Sequence, residues 1–436
     1  MWAYESVFYQ IYTLFACGAP FENDHIETKR LSKIDKFIPH IKSLGTKAIL
    51  FNPIFESSTH GYDTINYRKI DCRLGTNADF AKLVKKCHKN GIKVVVDGVF
   101  NHVGRDFFAF EDVKKNKWNS QYKDWFNINF DGNSSYNDGF YYEGWEGHFE
   151  LVKLNLSNEN VINYLLETVS FWIDEFDIDG IRLDVAYLLD RNFLKRLRTH
   201  TAGKKNDFFL MGEMIGGDYR QIVANDMCHS ATNYECYKGL YSSMNSYNLF
   251  EITHSLMRQF GPEDWTLYKN MHLLSFVENH DVSRIYTSLE NKNHIKAVYA
   301  LMFSMPGIPC IYYGGEAELP GDKKDGDMAL RPDLGTIKNN EFTDYIKKLI
   351  SIHNEKNAFY YGDFKSLFLN NKQCIWQRQT GDMRLVTICN IEDAPCTIYY
   401  NLGKERATDL ISEEEISFEG GKIDIPAYGV YIFDLS

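Results

Sequence analysis

The chain has 436 residues, 44% of them hydrophobic and 15% aromatic, which is enough for one large domain with one or two smaller ones. Acidic residues outnumber basic residues by 59 to 48, the formal charge is −11, and no basic run is longer than a pair. We therefore expect no nucleic acid or other polyanion as a partner, and a neutral, hydroxyl-rich substrate fits better.

The cysteines and the N-terminus indicate the compartment. The nine cysteines are odd in number and scattered, and no CxxC pair occurs, so the sequence predicts neither a disulfide framework nor a zinc site. The first residues lack the basic region and cleavage site of a signal peptide. No apolar run reaches the roughly 18 residues that cross a membrane. We expect a cytoplasmic protein without a membrane partner, and the sequence leaves its oligomeric state open.

Short apolar runs alternate with amphipathic stretches along the first 350 or so residues. Their lack of polar alternation predicts buried strands at 7–12, 48–51, 94–97, 179–185, 208–214, 273–276 and 308–314, with a weaker one at 230–234. Eight strand–helix units predict an α/β fold, a (β/α)8 TIM barrel. A doubly wound open sheet is the alternative, but no glycine-rich phosphate loop follows the first strand.

The stretch between the second and third strands illustrates the helical pattern. Apolar residues recur at helical spacing, at Phe80, Leu83, Val84 and Cys87. Asn77 is the predicted N-cap, and Gly91 stands where the helix should end.

The alternation of strands and helices is interrupted twice. Residues 103–152, after the third strand, are rich in Asn, Gly, Asp and aromatic residues and predict an inserted loop-rich subdomain. Residues 357–436 contain alternating short segments that predict a C-terminal antiparallel β-sandwich domain. The catalytic barrel is then formed by residues 1–102 and 153–356. In the inserted segment, Tyr141, Tyr142 and Trp145 are equally compatible with stacking on a ligand and with packing of the subdomain itself.

A carboxylate follows four of the predicted buried strands. These residues are Asp97, Asp184, Glu213 and Asp281. One such residue is explained by capping the next helix, but four at the end of a parallel barrel where active sites form indicate chemistry. Clustered carboxylates push their pKa values apart, so one can hold a proton while another is ionised. Cleavage of a glycosidic bond needs such a pair.

Three polar residues beside these carboxylates separate glycoside chemistry from metal binding. His102, Arg182 and His280 each stand close in sequence to a strand-end carboxylate. Arg182 lies two residues before Asp184, on the same face of the strand, where a guanidinium would compete with a metal cation but would hold an ionised nucleophile. The pattern therefore favours glycosidic bond cleavage over a metal site.

These segments resemble the α-amylase superfamily, family 13 of the glycoside hydrolases. The signature segments occur in order as "DGVFNH" (97–102), "GIRLDVAY" (180–187), "GE" (212–213) and "FVENHD" (276–281). "HGYDTINY" (60–67), "LVKLN" (151–155) and "GIPCIYYGGE" (307–316) support them, and the resemblance covers essentially the whole chain. "LVKLN" is most similar to the neopullulanase and cyclomaltodextrinase branch. Members of that branch usually carry an extra N-terminal domain, which we expect to be missing because the first strand begins near residue 7.

The resemblance implies a role for each candidate residue. It implies retention of configuration by double displacement, with Asp184 as nucleophile, Glu213 as acid/base and Asp281 as the third carboxylate that grips sugar hydroxyls. The residues that match substrate-binding positions are Tyr62, which is the stacking platform, and His102, Arg182 and His280. Asp97 matches a supporting aspartate.

Two departures from the family pattern affect cofactors and specificity. The nucleophile of many α-amylases is followed by a Lys-His pair that contributes to a calcium site, whereas this chain has Tyr187 and Leu188. Asn101 matches one customary calcium ligand, but the usual site looks incomplete. We expect no required cofactor, and the sequence leaves a bound calcium ion open. Thr59 stands where exo-acting α-glucosidases often have Asp, which disfavours strict exo action.

The leading hypothesis is a retaining hydrolase that cleaves α-1,4-glucosidic bonds in maltooligosaccharides or dextrins. The alternative is a 4-α-glucanotransferase, which has the same catalytic residues but passes the glycosyl group to a sugar instead of water. A third hypothesis is an inactive carbohydrate-binding relative, which the intact carboxylate set disfavours. The sequence does not decide chain-length preference, α-1,6 tolerance, or specialised substrates such as sucrose or trehalose.

Overall fold

The computed structural model describes all 436 residues and contains an eight-stranded parallel sheet. Its strands are β1 (Phe8–Ile11), β2 (Ala48–Phe51), β3 (Lys93–Gly98), β4 (Gly180–Leu183), β5 (Phe209–Gly212), β6 (Ser230–Ala231), β7 (Leu274–Ser275) and β8 (Ile308–Tyr312). They pair in the order β6-β5-β4-β3-β2-β1-β8-β7. A parallel bridge between Thr232 and Leu274 joins the two ends of the sheet. The predicted (β/α)8 barrel is confirmed, including its weak sixth strand.

The barrel strands are buried on both faces, which explains why their sequences show no polar alternation. On β3, Val95 points into the barrel, where it packs with Phe8, Leu50 and Met211. Its neighbours Val94 and Val96 belong instead to the layer between sheet and helices. Side chains fill the barrel interior, so the functional groups at its end rest on a packed core.

Eight helices of ten or more residues follow the strands. They are α1 (Ser32–Leu44), α2 (Asn77–Lys89), α3 (Glu159–Phe176), α4 (Arg191–Lys204), α5 (Tyr234–Asn245), α6 (Phe250–Phe260), α7 (Ile295–Ser304) and α8 (Glu341–Glu355). Shorter helices cover Thr13–Ala16, Phe108–Asn116, Ile285–Ser288 and Ala358–Tyr361. None of the helices has the length and apolar character needed to cross a membrane.

The start of α2 differs from the prediction by one residue. Thr76, not Asn77, is the N-cap, and its hydroxyl and the Asp79 carboxylate form a reciprocal capping box. Asn77 instead accepts a hydrogen bond from the Ile70 backbone and so fixes the chain that enters the helix. Gly91 follows the helix with a φ of 75°, as the predicted end requires.

The segment between β3 and α3 contains small antiparallel pairings that overhang the barrel end. His102–Gly104, His148–Lys153 and Gly144–Trp145 form a three-stranded sheet, and Ile128–Asn129 pairs with Tyr141–Tyr142. Another antiparallel pair, Phe55–Ser57 with Thr64–Ile70, follows β2. The subdomain boundaries at residues 102 and 153 stay a prediction.

The C-terminal region folds as antiparallel β-structure, as predicted. β9 (Asp363–Leu369), β10 (Gln373–Thr380), β11 (Met383–Asn390) and the last strand, Val430–Asp434, form one sheet. Two further pairs, Cys396–Tyr399 with Lys422–Ile425 and Arg406–Thr408 with Glu415–Ser417, lie beside it. A separate apolar cluster that includes Ile375, Ile398 and Phe433 fills the space between these layers.

Candidate active site

A cavity of about 730 Å³ opens at the carboxyl ends of the barrel strands. Five of the eight predicted site residues line it, namely Tyr62, His102, Asp184, Glu213 and Asp281. The other three, Asp97, Arg182 and His280, are buried directly behind these and bond to them. The structure therefore brings all eight residues together in one site.

Arg182 connects three carboxylates at the bottom of the cavity. Its side chain lies beside Asp97 because the two residues are register partners on β4 and β3. Arg182 Nη1 is 2.6 Å from Asp97 Oδ1 and 3.1 Å from Asp184 Oδ1, and Nη2 is 2.7 Å from Glu213 Oε1. One guanidinium thus fixes carboxylates from three neighbouring strands. It can do so because its donors lie in one plane and point in several directions.

The charges of this cluster do not balance, and this imbalance shifts pKa values. Three carboxylates meet one cation, so full ionisation would leave net negative charge in a buried place. Burial and the neighbouring Glu213 raise the pKa of Asp184 well above its ordinary value, although Arg182 acts in the opposite direction. Burial by itself lowers the pKa of a guanidinium, but Asp97 and Glu213 raise the pKa of Arg182 further than burial lowers it. Full ionisation of the cluster is therefore disfavoured, and Asp184 is the carboxyl whose neutral form is favoured.

A backbone amide also contacts Glu213. The Val185 N–H donates to Glu213 Oε2 at 3.0 Å, while the other carboxylate oxygen is held by Arg182. Val185 directly follows Asp184 and has a φ of 48° and a ψ of 40°, in the left-handed region that β-branched residues rarely adopt. The chain holds this conformation where β4 ends, at the point where the amide reaches the carboxylate.

Asp281 occupies a more open position than the other carboxylates. Its side chain is 35% exposed, and Oδ2 lies 2.9 Å from His280 Nε2. The same His280 nitrogen is 2.6 Å from the Tyr62 hydroxyl, while Gln10 Nε2 contacts Nδ1 at 3.0 Å. The Tyr62 hydroxyl donates to Asp97 at 3.0 Å, so a chain of hydrogen bonds links Asp281 to the Arg182 cluster.

Arg331, in the loop after β8, is a site residue that the sequence analysis missed. Its Nη2 lies 3.3 Å from Asp281 Oδ1 and 3.0 Å from Asp327, and its guanidinium packs over the Tyr12 ring. Although burial acts in the opposite direction, His280, Arg331 and Arg182 lower the pKa of Asp281 below its ordinary value. The ionised form of Asp281 is therefore favoured, whereas the raised pKa of Asp184 favours its neutral form.

Two buried amides were also missed. Gln10 Nε2 donates to Asn52 Oδ1 at 2.7 Å, and Asn52 Nδ2 donates to Asp97 at 3.0 Å. Gln10 is the one polar side chain inside β1, and Asn52 directly follows β2, so both interrupt apolar runs as the four carboxylates do. That signal could have found them. Arg331 lies 19 residues beyond β8 in an irregular stretch, where no periodicity relates it to the barrel.

His102 lines the cavity and has one ring nitrogen without a hydrogen-bond partner. Its Nδ1 contacts the Asn101 side-chain amide at 3.1 Å, and its buried Nε2 has no partner in the protein. Burial, and to a smaller extent His60, lower the pKa of His102 to about 3, so the ring is neutral at moderate pH. The Trp145 ring lies 5.8 Å away, and its buried indole nitrogen is also without a partner. Buried polar groups without partners are uncommon, and both are suited to a polar ligand.

The three aromatic residues of the inserted segment differ in their surroundings. Tyr142 is fully buried and packs edge-on against Phe110, which is a structural role. Trp145 lines the cavity, together with Tyr187 from the loop after β4. Tyr141 is 43% exposed and lies outside this cavity.

One other cluster has the residue types of a metal site. Glu56, Asp71 and Cys72 offer ligand atoms within 4.8 Å of one another. However, Arg73 pairs with Asp71 at 2.7 Å and Lys69 pairs with Glu56 at 3.0 Å. Both carboxylates are thus already neutralised by cationic side chains, and the cluster fits a structural ion-pair network better than a metal.

Residues 28–374 match the family described as "Alpha amylase, catalytic domain". The chain belongs to the alpha-amylase family. A cyclomaltodextrinase of Thermoanaerobacter pseudethanolicus is 33% identical over 92% of this chain and 69% of its own length. An intracellular maltogenic amylase of Bacillus subtilis is 31% identical over 82% of this chain and 63% of its own length.

A solved structure of the same family is similar over its full length. The ligand-free cyclic alpha-maltosyl-(1→6)-maltose hydrolase of Arthrobacter globiformis aligns with a TM-score of 0.83 and 26% identity, covering 100% of both chains. The predicted family and its cyclomaltodextrinase branch are confirmed, and the chain is an α-amylase-type glycoside hydrolase.

Proposed function

We propose that this family member hydrolyses α-1,4-glucosidic bonds in maltooligosaccharides with retention of configuration. The observation that carries this proposal is the pair of buried carboxyls, Asp184 and Glu213, bound to one guanidinium at the bottom of the cavity. A shared guanidinium favours the separation of roughly 5 Å of a retaining pair over the wider spacing of an inverting pair.

In the proposed first step, Asp184 attacks the anomeric carbon as the glycosidic bond breaks. Glu213, as the acid, gives its proton to the departing oxygen, and a covalent glycosyl-enzyme forms. In the second step a water molecule gives a proton to Glu213, its oxygen bonds to the anomeric carbon, and the bond to Asp184 breaks. The proton must lie on Glu213 at the start, so we propose that sugar binding, by offering Glu213 an acceptor oxygen, moves it there from Asp184.

The surrounding groups have supporting roles in this proposal. Asp281, ionised and partly exposed, accepts hydrogen bonds from sugar hydroxyls and stabilises the oxocarbenium-like transition state. His102 offers its free Nε2 to another hydroxyl, and Tyr62 is the stacking platform. Asp97 orients Arg182, and His280 orients Asp281. Both lie behind the cavity wall, so the groups that touch substrate are those of the wall itself.

The proposed substrate class and compartment rest on the cavity and the relatives. A cavity of about 730 Å³ is within the usual range for small ligands, and Trp145, Tyr187 and Tyr234 on its walls suit sugar rings. The names of the relatives refer to cyclomaltodextrin, maltose-forming and maltosyl-maltose activities. One relative is named as intracellular, and all nine cysteines here are free, which supports the cytoplasm as the proposed location.

We also propose that catalysis requires no metal ion. Asn101 matches one customary calcium ligand, but Tyr187 and Leu188 stand where many α-amylases have the Lys-His pair that contributes to the calcium site. Treatment with EDTA followed by desalting should leave both kcat and the melting temperature unchanged. A loss that added calcium restores would contradict this proposal.

The experiment that tests the function is a product time course with maltoheptaose, resolved by chain length. We expect only products shorter than the substrate, with the α-anomer released first in NMR spectra. Products longer than seven units would indicate a 4-α-glucanotransferase instead. If no product forms while Glu213→Gln also binds no maltoheptaose, the proposed substrate class is wrong.

A further inference from the structure

We propose that the protein binds a small inorganic oxyanion of the phosphate class in a cavity at the amino-terminal end of the barrel. This cavity has a volume of about 160 Å³, and its walls are formed by the segments that enter β7 and β8 and by residues of β9 and β10. Cavities for drug-sized ligands measure roughly 300–1,000 Å³, so the occupant must be small. The catalytic groups lie at the opposite ends of the strands, so the occupant is not the substrate.

Arg378, on β10, lines this cavity and is the one buried arginine without an ion pair. The chain buries five arginine side chains, and four of them are paired with carboxylates, namely Arg73, Arg182, Arg284 and Arg331. Arg378 is 2% exposed and has no carboxylate partner. Burial of an unpaired ion is costly, and a bound anion would supply the missing counter-charge.

The pKa values show the same contrast among these arginines. Burial lowers the pKa of a guanidinium, but acidic neighbours raise the pKa of the four paired arginines above the ordinary value. Burial lowers the pKa of Arg378 to about 9, and Asp363, which forms no ion pair with it, offsets this only in part. The positive charge of Arg378 is therefore the least compensated among the buried arginines.

The guanidinium of Arg378 also has donors that the protein does not use. Its Nε donates to the Gly362 carbonyl oxygen at 3.0 Å, and its Nη1 donates to the Ser304 carbonyl oxygen at 3.4 Å. These two bonds fix the side chain but occupy only two of its five N–H donors, and Nη2 has no acceptor in the protein. Donors that lie in one plane fit the oxygen atoms of an oxyanion.

Tyr360 adds a second unused polar group to the lining of this cavity. Its hydroxyl oxygen is buried and forms no hydrogen bond. Burial raises the pKa of Tyr360, so the hydroxyl keeps its proton and can donate. His272 Nε2 contacts the Tyr360 carbonyl oxygen at 3.0 Å, and the His272 ring stacks on Tyr4, which holds this segment in place. Buried polar groups without partners are uncommon, and the one at Tyr360 joins Arg378 in the same lining.

The charges around the cavity favour an anion over a cation or a neutral ligand. Besides Arg378, the charged residues that line it are Lys269 and Asp363, both exposed and neither in an ion pair. Burial lowers the pKa of His272 to about 4, so its ring is neutral at moderate pH. The lining thus carries a net positive charge in a chain whose formal charge is −11. An oxyanion fits better than a halide because its oxygen atoms accept from several donors at once.

Calorimetric titration of the full chain with inorganic phosphate, at constant sodium chloride concentration, tests the site. We expect saturable binding of one phosphate with a Kd of about 1 mM or lower. Arg378→Gln should raise this Kd by at least about tenfold, and Lys269→Met should raise it by about threefold. Lys238→Met is the control for the second variant, because Lys238 is also exposed and unpaired but does not line the cavity.

A pair of conservative variants keeps the test decisive if Arg378→Gln does not fold. Tyr360→Phe removes one hydroxyl and should raise the Kd for phosphate by about fivefold, as loss of one hydrogen bond implies. Tyr361→Phe is matched to it, because Tyr361 lines the same cavity but its hydroxyl already donates to Glu5 at 2.5 Å. Tyr361→Phe should leave the Kd unchanged.

Competition with maltoheptaose shows at which end of the barrel the phosphate binds. Saturating maltoheptaose in a Glu213→Gln background should leave the Kd for phosphate unchanged. Displacement of phosphate by the sugar would place the anion in the catalytic cavity and overturn the proposed site. The same conclusion would follow if the unmodified protein bound no phosphate, or if Tyr360→Phe and Lys269→Met both bound it as tightly as the unmodified protein.

Discussion

The floor and the wall of the catalytic cavity are built in opposite ways. On the floor, Asp97, Arg182, Asp184 and Glu213 come from the ends of three neighbouring strands, and each is held in an ion pair. On the wall, the hairpin with Trp145 leaves aromatic surface and a donor unbonded. Bond cleavage needs charges held in fixed places by a rigid scaffold, whereas binding of a neutral chain needs unoccupied surface. The floor should therefore govern turnover and the wall should govern affinity.

Substitution of the proposed acid/base should give the largest effect on the floor side of this comparison. Glu213→Gln keeps the size of the side chain but removes its proton donor, so kcat for maltoheptaose should fall by about 10²–10⁴-fold. Calorimetric binding of the sugar should persist. Glu263→Gln, an exposed position far along the chain, is the control and should behave as the unmodified protein. If Glu213→Gln retained full turnover, the acid would have to be another residue.

Loss of the central cation should reduce stability as well as activity. Arg182→Met leaves Asp97, Asp184 and Glu213 buried without their counter-charge, and the free energy of unfolding should fall by about 3–5 kcal/mol at pH 7. The loss should be smaller at pH 5, because the uncompensated carboxyls can then take up protons. Both values can be measured by urea denaturation.

A surface ion pair provides the control for that experiment. Arg196 pairs with Glu159 at 2.6 Å on the exposed face of the helices. Arg196→Met should lower the free energy of unfolding by only about 0–1 kcal/mol. Similar losses for Arg182→Met and Arg196→Met would mean that the floor is not the tightly coupled cluster described here.

Substitution of Trp145, on the wall of the cavity, should change the affinity for substrate but not the turnover. Trp145→Ala should raise KM for maltoheptaose by about tenfold and change kcat by less than about threefold, because the indole contacts no floor residue by an ion pair or hydrogen bond. Trp118→Ala is matched to it, since Trp118 is in the same inserted segment, is exposed, and does not line the catalytic cavity. A large fall in kcat with KM unchanged would contradict the division between floor and wall.

The sequence predicted the floor better than the wall for a physical reason. Strand ends are marked in the sequence by a polar residue after an apolar run, and the barrel topology brings those ends together, so Asp97, Asp184 and Glu213 could be grouped without coordinates. The same rule failed to include Asn52, which follows β2, only because it was applied to charged residues, whereas Gln10 lies inside β1 and needs a rule for polar residues within buried strands. The bounds of the eight strands followed from the same runs.

No such sequence rule applies to the wall of the cavity. Trp145 lies on a two-residue strand, and Tyr187 and Arg331 lie in loops after barrel strands. The direction of such short segments depends on turns and tertiary contacts, and composition left stacking and packing equally open for Trp145. A type I′ turn through the non-glycine residue Glu146 and the left-handed Val185 are also not readable from residue preferences. The sequence therefore predicted the residues of the floor more completely than those of the wall.

His102 lies where floor and wall meet, and it gives the smallest expected effect. Its pKa is lowered to about 3, so it is neutral throughout the working range and offers the sugar the same Nε2 at every pH. His102→Gln should therefore raise KM for maltoheptaose by about fivefold, as loss of one hydrogen bond implies, without changing the shape of the pH–activity profile between pH 5 and 8. A shift of the acid limb would mean that His102 titrates within that range.

The free energy of unfolding, unlike the pH–activity profile, should depend on the lowered pKa of His102. An unfolded histidine takes up a proton near pH 6.5 whereas folded His102 does not until about pH 3, so the stability present above pH 6.5 is lost as the pH falls between these values. The loss is up to about 1.4 kcal/mol per pH unit, and His102→Gln should make the decline less steep in urea titrations at pH 6.5, 5.5 and 4.5. His353, equally buried with a pKa lowered to about 3, is the matched control. His353→Gln should flatten the same decline but leave KM unchanged, because His353 does not line the catalytic cavity.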